Sequence, residues 1–345
     1  MRSGKRIALA AAVSVLAIAV GASLGSASIG LGDTVTVIFR GIFAIPLGDR
    51  VDPVNASIVW LLRLPRVLLA FLAGGALAVS GAACQSVLRN PLATPHILGV
   101  SSGASLGAGI VIISGAALPF LGGFTLPAVG FASALATVFL VAAFAARIDR
   151  SMASNTIILC GLVASLFLNA VLTTLSAVFS DDLRRIALWQ MGSFAMRGWS
   201  HVRLLLPFLL VGVVGILAMS REMDILTFGD DHAKSSGIES GRVRGRLLAL
   251  SAVLTGATVA LCGVIGFVDL ITPHAARKLV GAQHKSLVPM SFFLGGSLMV
   301  ITDLVARTAI SPSELPVGAL TALIGAPFFA WVYFRQRGTA RRGGE

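Results

Sequence analysis

Between Arg66 and Arg89 the chain carries no charged residue, and the run VLLAFLAGGALAVSGAACQ shows no polar face at helical spacing. A soluble core helix keeps a polar stripe and seldom exceeds about 20 residues, so this run is predicted to be a membrane span. It stops at Arg89-Asn90-Pro91 and restarts at Pro95 as a glycine-rich apolar segment. So abrupt a break predicts a re-entrant or tightly turned segment, because irregular backbone at membrane depth must be sheltered by protein. The same pattern predicts about ten spans, near residues 7–29, 66–86, 96–115, 124–146, 154–178, 201–220, 246–266, 272–282, 287–306 and 316–334. The eighth is too short to cross alone, and Pro273 and Pro289 fit an irregular arrangement around it. The first follows Arg2, Lys5 and Arg6 and is too long for a secretory signal core, so it is expected to be retained.

Composition narrows the class. The chain is 56% hydrophobic and 12% charged, with mean hydropathy +0.91, whereas soluble domains carry about 25% charged residues. The net charge of +12 comes from short basic patches between apolar runs, without an aromatic-rich basic face, so nucleic acid is not expected as a partner. Most of the 27 Lys and Arg fall on one side of the predicted spans, which places both termini in the cytoplasm. The second span then runs inward and the seventh outward, and inverted halves over about 60–180 and 246–335 are geometrically possible without a visible repeat. The expectation is an all-α integral membrane protein with one domain over 1–345: a bundle over 7–335, a cytoplasmic loop over 221–246 and a cytoplasmic tail over 336–345.

Few residues carry chemistry. No phosphate-loop pattern GxxxxGK[ST] and no HExxH zinc pattern occurs, so no ATP site, metal site, cofactor or catalytic residue is expected on this chain. Cys84, Cys160 and Cys262 are isolated and read as small buried residues. The mixed-charge loop REMDILTFGDDHAKSSGIESGRVRGR is predicted to form two short helices. Asp224 would cap the first, and Gly229 and Gly237 bracket the second over 230–236, which suits a docking surface better than a plain loop. Gly99, Gly103 and Gly107 share one helix face, open to close packing or to path lining. Asp269, His274, Asp303 and Arg307 are ionisable groups in or near apolar runs and so candidates for function. Asp303 and Arg307 are four apart and can neutralise each other, whereas Asp269 has no local partner and would sit near the outer end of its span. Residues 180–199 read as a helix along the outer surface, anchored by Trp189 and Trp199, with Arg184 and Arg185 open to an anionic substrate.

Together these stretches resemble a family. RLPR at 63–66, GAACQSVLRNPLATPHILGVSSGAS at 81–105, WQMGSF at 189–194, GVIGFVDLITPHAARKLVG at 263–281, LVPMSFFLGGSLMVITDLVAR at 287–307 and ELPVGALTALIGAPFFAWVYFR at 314–335 resemble FecCD-type permeases. These are the membrane half of ABC importers for iron-siderophores, haem and cobalamin. The resemblance covers nearly the whole chain and implies the type II importer fold in a bacterial inner membrane. It implies a second permease copy, two cytoplasmic ATPase subunits that use the ATP, and a periplasmic or lipoprotein substrate-binding protein. By position, Arg63, Arg66 and Arg307 resemble outward arginines that grip acids of the binding protein. The stretch 224–240, with Asp224, Gly229, Asp230, Ala233, Lys234 and Gly237, resembles the segment that couples to the ATPase. The path candidates are Gly99, Ser101, Gly103, Asn169, Arg184, Arg185 and Asp269. Asp269 stands where the family usually has glycine. The cargo implied is a ferric siderophore, with haem or cobalamin as the alternative. A different class, an ion-coupled transporter relaying protons through Asp269, His274 and Asp303, stays open at this point, and a membrane enzyme would need a catalytic cluster that Cys84, His96 and His274 do not form.

Overall fold

The computed structural model describes residues 2–25, 29–46, 51–149 and 152–342, with side chains through residue 330. Its α-helices, in chain order, are α1 (Arg2–Ser23), α2 (Leu31–Ile42), α3 (Pro53–Ser57), α4 (Leu64–Val87), α5 (Val100–Ser114), α6 (Thr125–Ile148), α7 (Ser154–Val178) and α8 (Leu183–Gln190). They continue with α9 (Trp199–Ala218), α10 (Ser220–Leu226), α11 (Asp230–Ser235), α12 (Ser240–Cys262), α13 (Val268–Val280), α14 (His284–Thr308) and α15 (Val317–Arg342). No strand occurs among the described residues.

Each of the ten predicted spans coincides with a helix. Among the described residues seven helices are long and apolar enough to cross a membrane, while α5 and α15 offer shorter apolar stretches. The eighth segment is α13, 13 residues that begin after Phe267 in the left-handed region (φ 68°). Three features escaped the hydropathy pattern. Helix α2 presents Leu31, Val35, Phe39 and Ile42 to the outside as an apolar stripe while burying Thr34 and Val37. Helices α3 and α4 join through a π-helical stretch, Ile58–Arg63, into a continuous run Pro53–Val87. Pro65 accounts for the wider turn, because it brings no N–H to the ladder and its ring crowds the carbonyl four residues back. The helix expected over 180–199 is only α8, and Trp199 instead opens α9, its Nε1 donating to the Trp60 carbonyl at 2.9 Å.

The burial order explains the architecture. In the most apolar stretch of the α3–α4 run 89% of residues are buried, against 33% in α6, 28% in α9 and 17% in α7. Helix α4 is therefore the axis of the bundle, packed by α14, α12, α13, α9 and α1. Its lack of a polar face follows from being enclosed on all sides. Small residues let its neighbours approach: a Cβ on Gly81 would strike the Asp269 backbone of α13. The predicted tail is helical to Arg342, and residues 343–345 lie outside the described residues.

Candidate functional site

Helix α4 carries Arg66 in its first turn and Ser86 in its last, about 30 Å apart at 1.5 Å per residue. A polar network sits at each end. At the first, Arg66 donates from Nη2 to Asp303 at 2.8 Å on α14, and from Nη1 and Nη2 to Glu314 at 2.7 and 2.9 Å. The planar guanidinium fork suits two carboxylates at once. Arg307 lies 3.6 Å from Asp303 and donates to the Gly21 carbonyl of α1. Arg63 donates to the Ala22 and Ser23 carbonyls. The three arginines thus tie α1, α4 and α14 together. They were expected to point outward to a partner, but only 12% of the Arg66 side chain, 7% of Arg307 and 6% of residue Arg63 is exposed. Their carbonyl and carboxylate partners on neighbouring helices draw them in. The local Asp303–Arg307 pair exists, yet Asp303 bonds more closely to Arg66, 237 residues away in sequence.

A cavity of about 660 Å³ opens beside this network, lined by Arg66, Arg197, Arg307 and Glu314 among others. The bond from Arg66, against a smaller opposing effect of burial, holds the Glu314 carboxyl below its ordinary value of 4.5. A depressed folded value contributes stability at pH above 4.5, and that stability is lost as pH falls through the folded value. Glu314→Gln is therefore expected to lower the melting temperature slightly at pH 7, by the equivalent of about 1 kcal/mol or less, and to flatten its fall below about pH 4.5, where the two proteins converge. An unchanged acid limb would remove Glu314 from that network.

At the other end, Asp224 on α10 accepts from the His284 backbone N–H at 3.0 Å and meets His284 Nδ1 at 2.5 Å. It was expected to cap its own helix, but it lies inside α10 and caps α14, whose first N–H groups lack intrahelical partners. His284 Nε2 in turn meets Ser86 Oγ. Asp230 opens α11 directly after Gly229, whose φ of 112° favours glycine. Its carboxylate accepts from Arg244 Nη2 at 2.6 Å and Arg89 Nη2 at 3.0 Å. Burial alone would raise the Asp230 carboxyl, but the Arg244 bond and the Arg244 and Arg89 charges outweigh it and hold it below the ordinary aspartate value. Ala233 is the buried residue of α11, Lys234 is exposed, and Gly237 (φ 76°) ends the segment, so the bracketed second helix appears nearly as expected. A cavity of about 750 Å³ lies between this loop and the α13–α14 turn, lined by Ser86, Arg89, Asp224, Arg277, Lys278 and His284 among others.

The path candidates separate. The Gly99–Gly103–Gly107 face is filled by α6: added Cβ atoms would meet Thr137 at Gly99 and Gly103, and Ser133 at Gly107. Packing, not lining, is the geometry of that stripe. Ser101 Oγ is bonded to His96 Nδ1 at 2.5 Å. Asn169 lines a cavity of about 480 Å³ with Ile186 and Gln190 of α8, on which Arg184 and Arg185 are exposed and Arg185 pairs with Asp182 at 3.2 Å. Asp269 is not at a wet helix end. It is 1% exposed in the first turn of α13, with His96 Nε2 3.8 Å from its carboxylate and no hydrogen bond to either oxygen. Removing that carboxylate leaves no donor stranded, and a glycine in a helix costs about 1 kcal/mol relative to alanine. Asp269→Gly is thus expected to leave assembly intact; loss of membrane insertion or of the complex with an ATPase would refute this. The suggested relay is not assembled, because Asp303 belongs to the Arg66 network, Asp269 faces His96, and His274 stacks edge-on to Phe328.

Glu314, Ser86, Arg244 and His284 were not singled out in the sequence, and Arg89 was read only as the end of an apolar run. Their partners lie 14 to 248 residues away, and no local spacing marks them.

Comparison with known proteins bears on these networks. The profile of the FecCD transport family matches residues 12–335. An ABC transporter permease of Bacillus subtilis, YvrB, is 42% identical over 347 residues, covering 100% of this chain and 97% of that protein. The hemin transport system permease HmuU of Yersinia pestis is 38% identical over 91% of this chain and 92% of its own length. An inward-facing solved structure, described as of metal-chelate ABC transporter type, superposes with a TM-score of 0.84 at 31% identity, covering 96% of this chain and 99% of that one.

Proposed function

This chain belongs to the FecCD transport family and is a permease subunit of an ATP-binding-cassette importer, and we propose that its cargo is an iron chelate, a ferric siderophore first among them. The family match over residues 12–335 carries the reading. Hemin as the cargo of HmuU and the metal-chelate class of the structural neighbour support the cargo. Haem or cobalamin would use the same importer type. A bulky chelate needs a broad path with few strong ligands, so the scarcity of ligating side chains in the bundle is compatible with it.

The partners follow from the two ends. The loop with α10 and α11 faces the cytoplasm and docks on an ATPase subunit, one of the two in the importer that hydrolyse the ATP. Both termini lie on that side of a bacterial inner membrane. The Arg66 end faces outward to a periplasmic or lipoprotein binding protein. There the docking role narrows to Arg66, because an incoming carboxylate can displace Glu314, whose side chain is 36% exposed, more easily than the buried Asp303. Arg63 and Arg307 hold the helix ends that support it. A second copy of the chain completes the pathway between the two subunits. The apolar outer faces of α6, α7 and α9, with exposed Phe139, Phe144, Leu166, Phe167 and Leu210, meet lipid or that copy. ATP binding moves the loop, and the bundle rocks between outward and inward states.

The test is uptake in vesicles holding the permease with its ATPase subunits and binding protein. ATP is expected to drive accumulation of a ferric siderophore, and no accumulation of any metal chelate would sink the reading. Uptake without the ATPase but abolished by an uncoupler would favour an ion-coupled carrier.

A further inference from the structure

Each short helix of the loop packs apolar side chains on the bundle, Met223 and Leu226 from α10 and Ala233 from α11, and each adds one carboxylate contact that leads to the end of α4. Asp224 of α10 holds His284 of α14, and the same imidazole meets Ser86 in the last turn of α4. Asp230 of α11 holds Arg244 of α12 and Arg89, two residues beyond α4. With 7 and 6 residues, α10 and α11 are too short to keep their own shape, so these anchors set their position.

We propose that the end of α4, Ser86–Arg89, receives the movement of both loop helices, with His284 and Arg89 as the positioning residues that transmit it. The inference rests on the importer reading, since it needs an ATPase to move the loop. Three features carry it. Helix α4 is the most buried helix among the candidate spans and packs on six other α-helices, α10 included, so displacement at its end reaches the whole bundle. His284 is 2% exposed and bonded on both ring nitrogens, so it cannot yield to one neighbour without moving the other. Packed interiors shift between discrete arrangements and do not deform gradually, which suits a linkage.

The order Ser86–His284–Asp224 also imitates the relay of a serine nucleophile. Its burial excludes that use: Ser86 is 4% exposed, and its hydroxyl lies 3.0 Å from the Ala82 carbonyl one turn back in a regular helix. The constellation holds helices and does not cut bonds.

The test uses the complete permease–ATPase complex in vesicles, with His284→Ala and Arg89→Ala compared with the unaltered chain. The readouts are ATP hydrolysis, ferric siderophore taken up per ATP, and amide hydrogen exchange at residues 86–90 and 224–235 with and without ATP plus vanadate. The ATPase is expected to co-purify and to hydrolyse within about twofold of normal, while uptake per ATP falls about 10-fold, toward the upper range for coupling residues. The nucleotide-dependent change in exchange is expected to vanish at 86–90 and to persist at 224–235. His284→Asn, whose amide can replace Nδ1 against Asp224, is expected to recover part of the loss. Unchanged uptake per ATP, persistence of the exchange response at 86–90, or loss of the ATPase from the complex would each overturn the proposal. An unaltered complex that takes up no chelate would instead defeat the importer reading, and the exchange readout would still decide the linkage.

Discussion

Replacing Asp303 with alanine is expected to lower the unfolding free energy by about 3–5 kcal/mol, the cost of leaving buried charges without their partner. Asp303 is 1% exposed and faces two cations, Arg66 at 2.8 Å and Arg307 at 3.6 Å. Without it Arg66 keeps only Glu314, and Arg307 keeps only the Gly21 carbonyl from α1. Neither replaces a buried carboxylate. Asp303→Asn is expected to cost less, since it retains shape and one acceptor oxygen, and Glu314→Gln least, because an exposed pair contributes only about 0–1 kcal/mol. Thermal inactivation of the purified protein in detergent, scored by loss of the monodisperse species, gives the order. A loss below about 1 kcal/mol for Asp303→Ala would mean that water in the adjoining cavity solvates both arginines, and the network would then be a surface one.

This network also marks where the sequence stopped being legible. Hydropathy alone located ten helices, and the uninterrupted apolar run of α4 marked a span, which the fold then encloses on every side. Periodicity is a local property, and these features are local. Loop glycines were legible for the same reason: Gly229 and Gly237 take positive φ and bracket α11. Contacts between distant segments were not. The i, i+4 rule found Arg307 for Asp303, whereas the closer bond comes from Arg66, which no sequence spacing could have joined to it. Asp224 read as a cap because acids favour helix starts, and it is a cap, but of a helix 60 residues onward. The glycine stripe of α5 was legible as a close-packing face, and only the fold supplied α6 as the helix that fills it. Amphipathic α2 was missed because its exposed apolar stripe is too short to read as a span.

The same glycine-to-alanine change is expected to act with opposite sign at different crossings of this bundle. A Cβ at Gly295 would collide with the Gly74 carbonyl and Ala78 Cβ, and a Cβ at Gly74 with the Gly295 carbonyl and Met299 Cβ. These obstacles include backbone on both sides, and backbone cannot step aside as a flexible side chain can. Immediately beside them the Phe292 and Phe71 rings close over Gly75 and Gly296. Gly295→Ala is therefore expected to destabilise by about 1–3 kcal/mol, and Gly295→Leu by more, as α14 is pushed off the axial helix. At Gly256 on α12 an added Cβ would meet only Ala134 Cβ and Phe131 at 3.4–3.6 Å, and at Gly130 on α6 the nearest atom is 3.7 Å away. Those are ordinary contacts, so alanine there is expected to be neutral or to stabilise by about 0.4–1 kcal/mol through a less flexible unfolded chain. Melting temperatures of the three alanine variants, measured side by side, decide it. Should Gly295→Ala match Gly256→Ala, α4 and α14 would not be in backbone contact, and α14 could slide along the axis. Should it fall well below, the two helices move as one body, and any displacement delivered at Ser86 and His284 is carried up that pair to Arg66 and Asp303 at the opposite end.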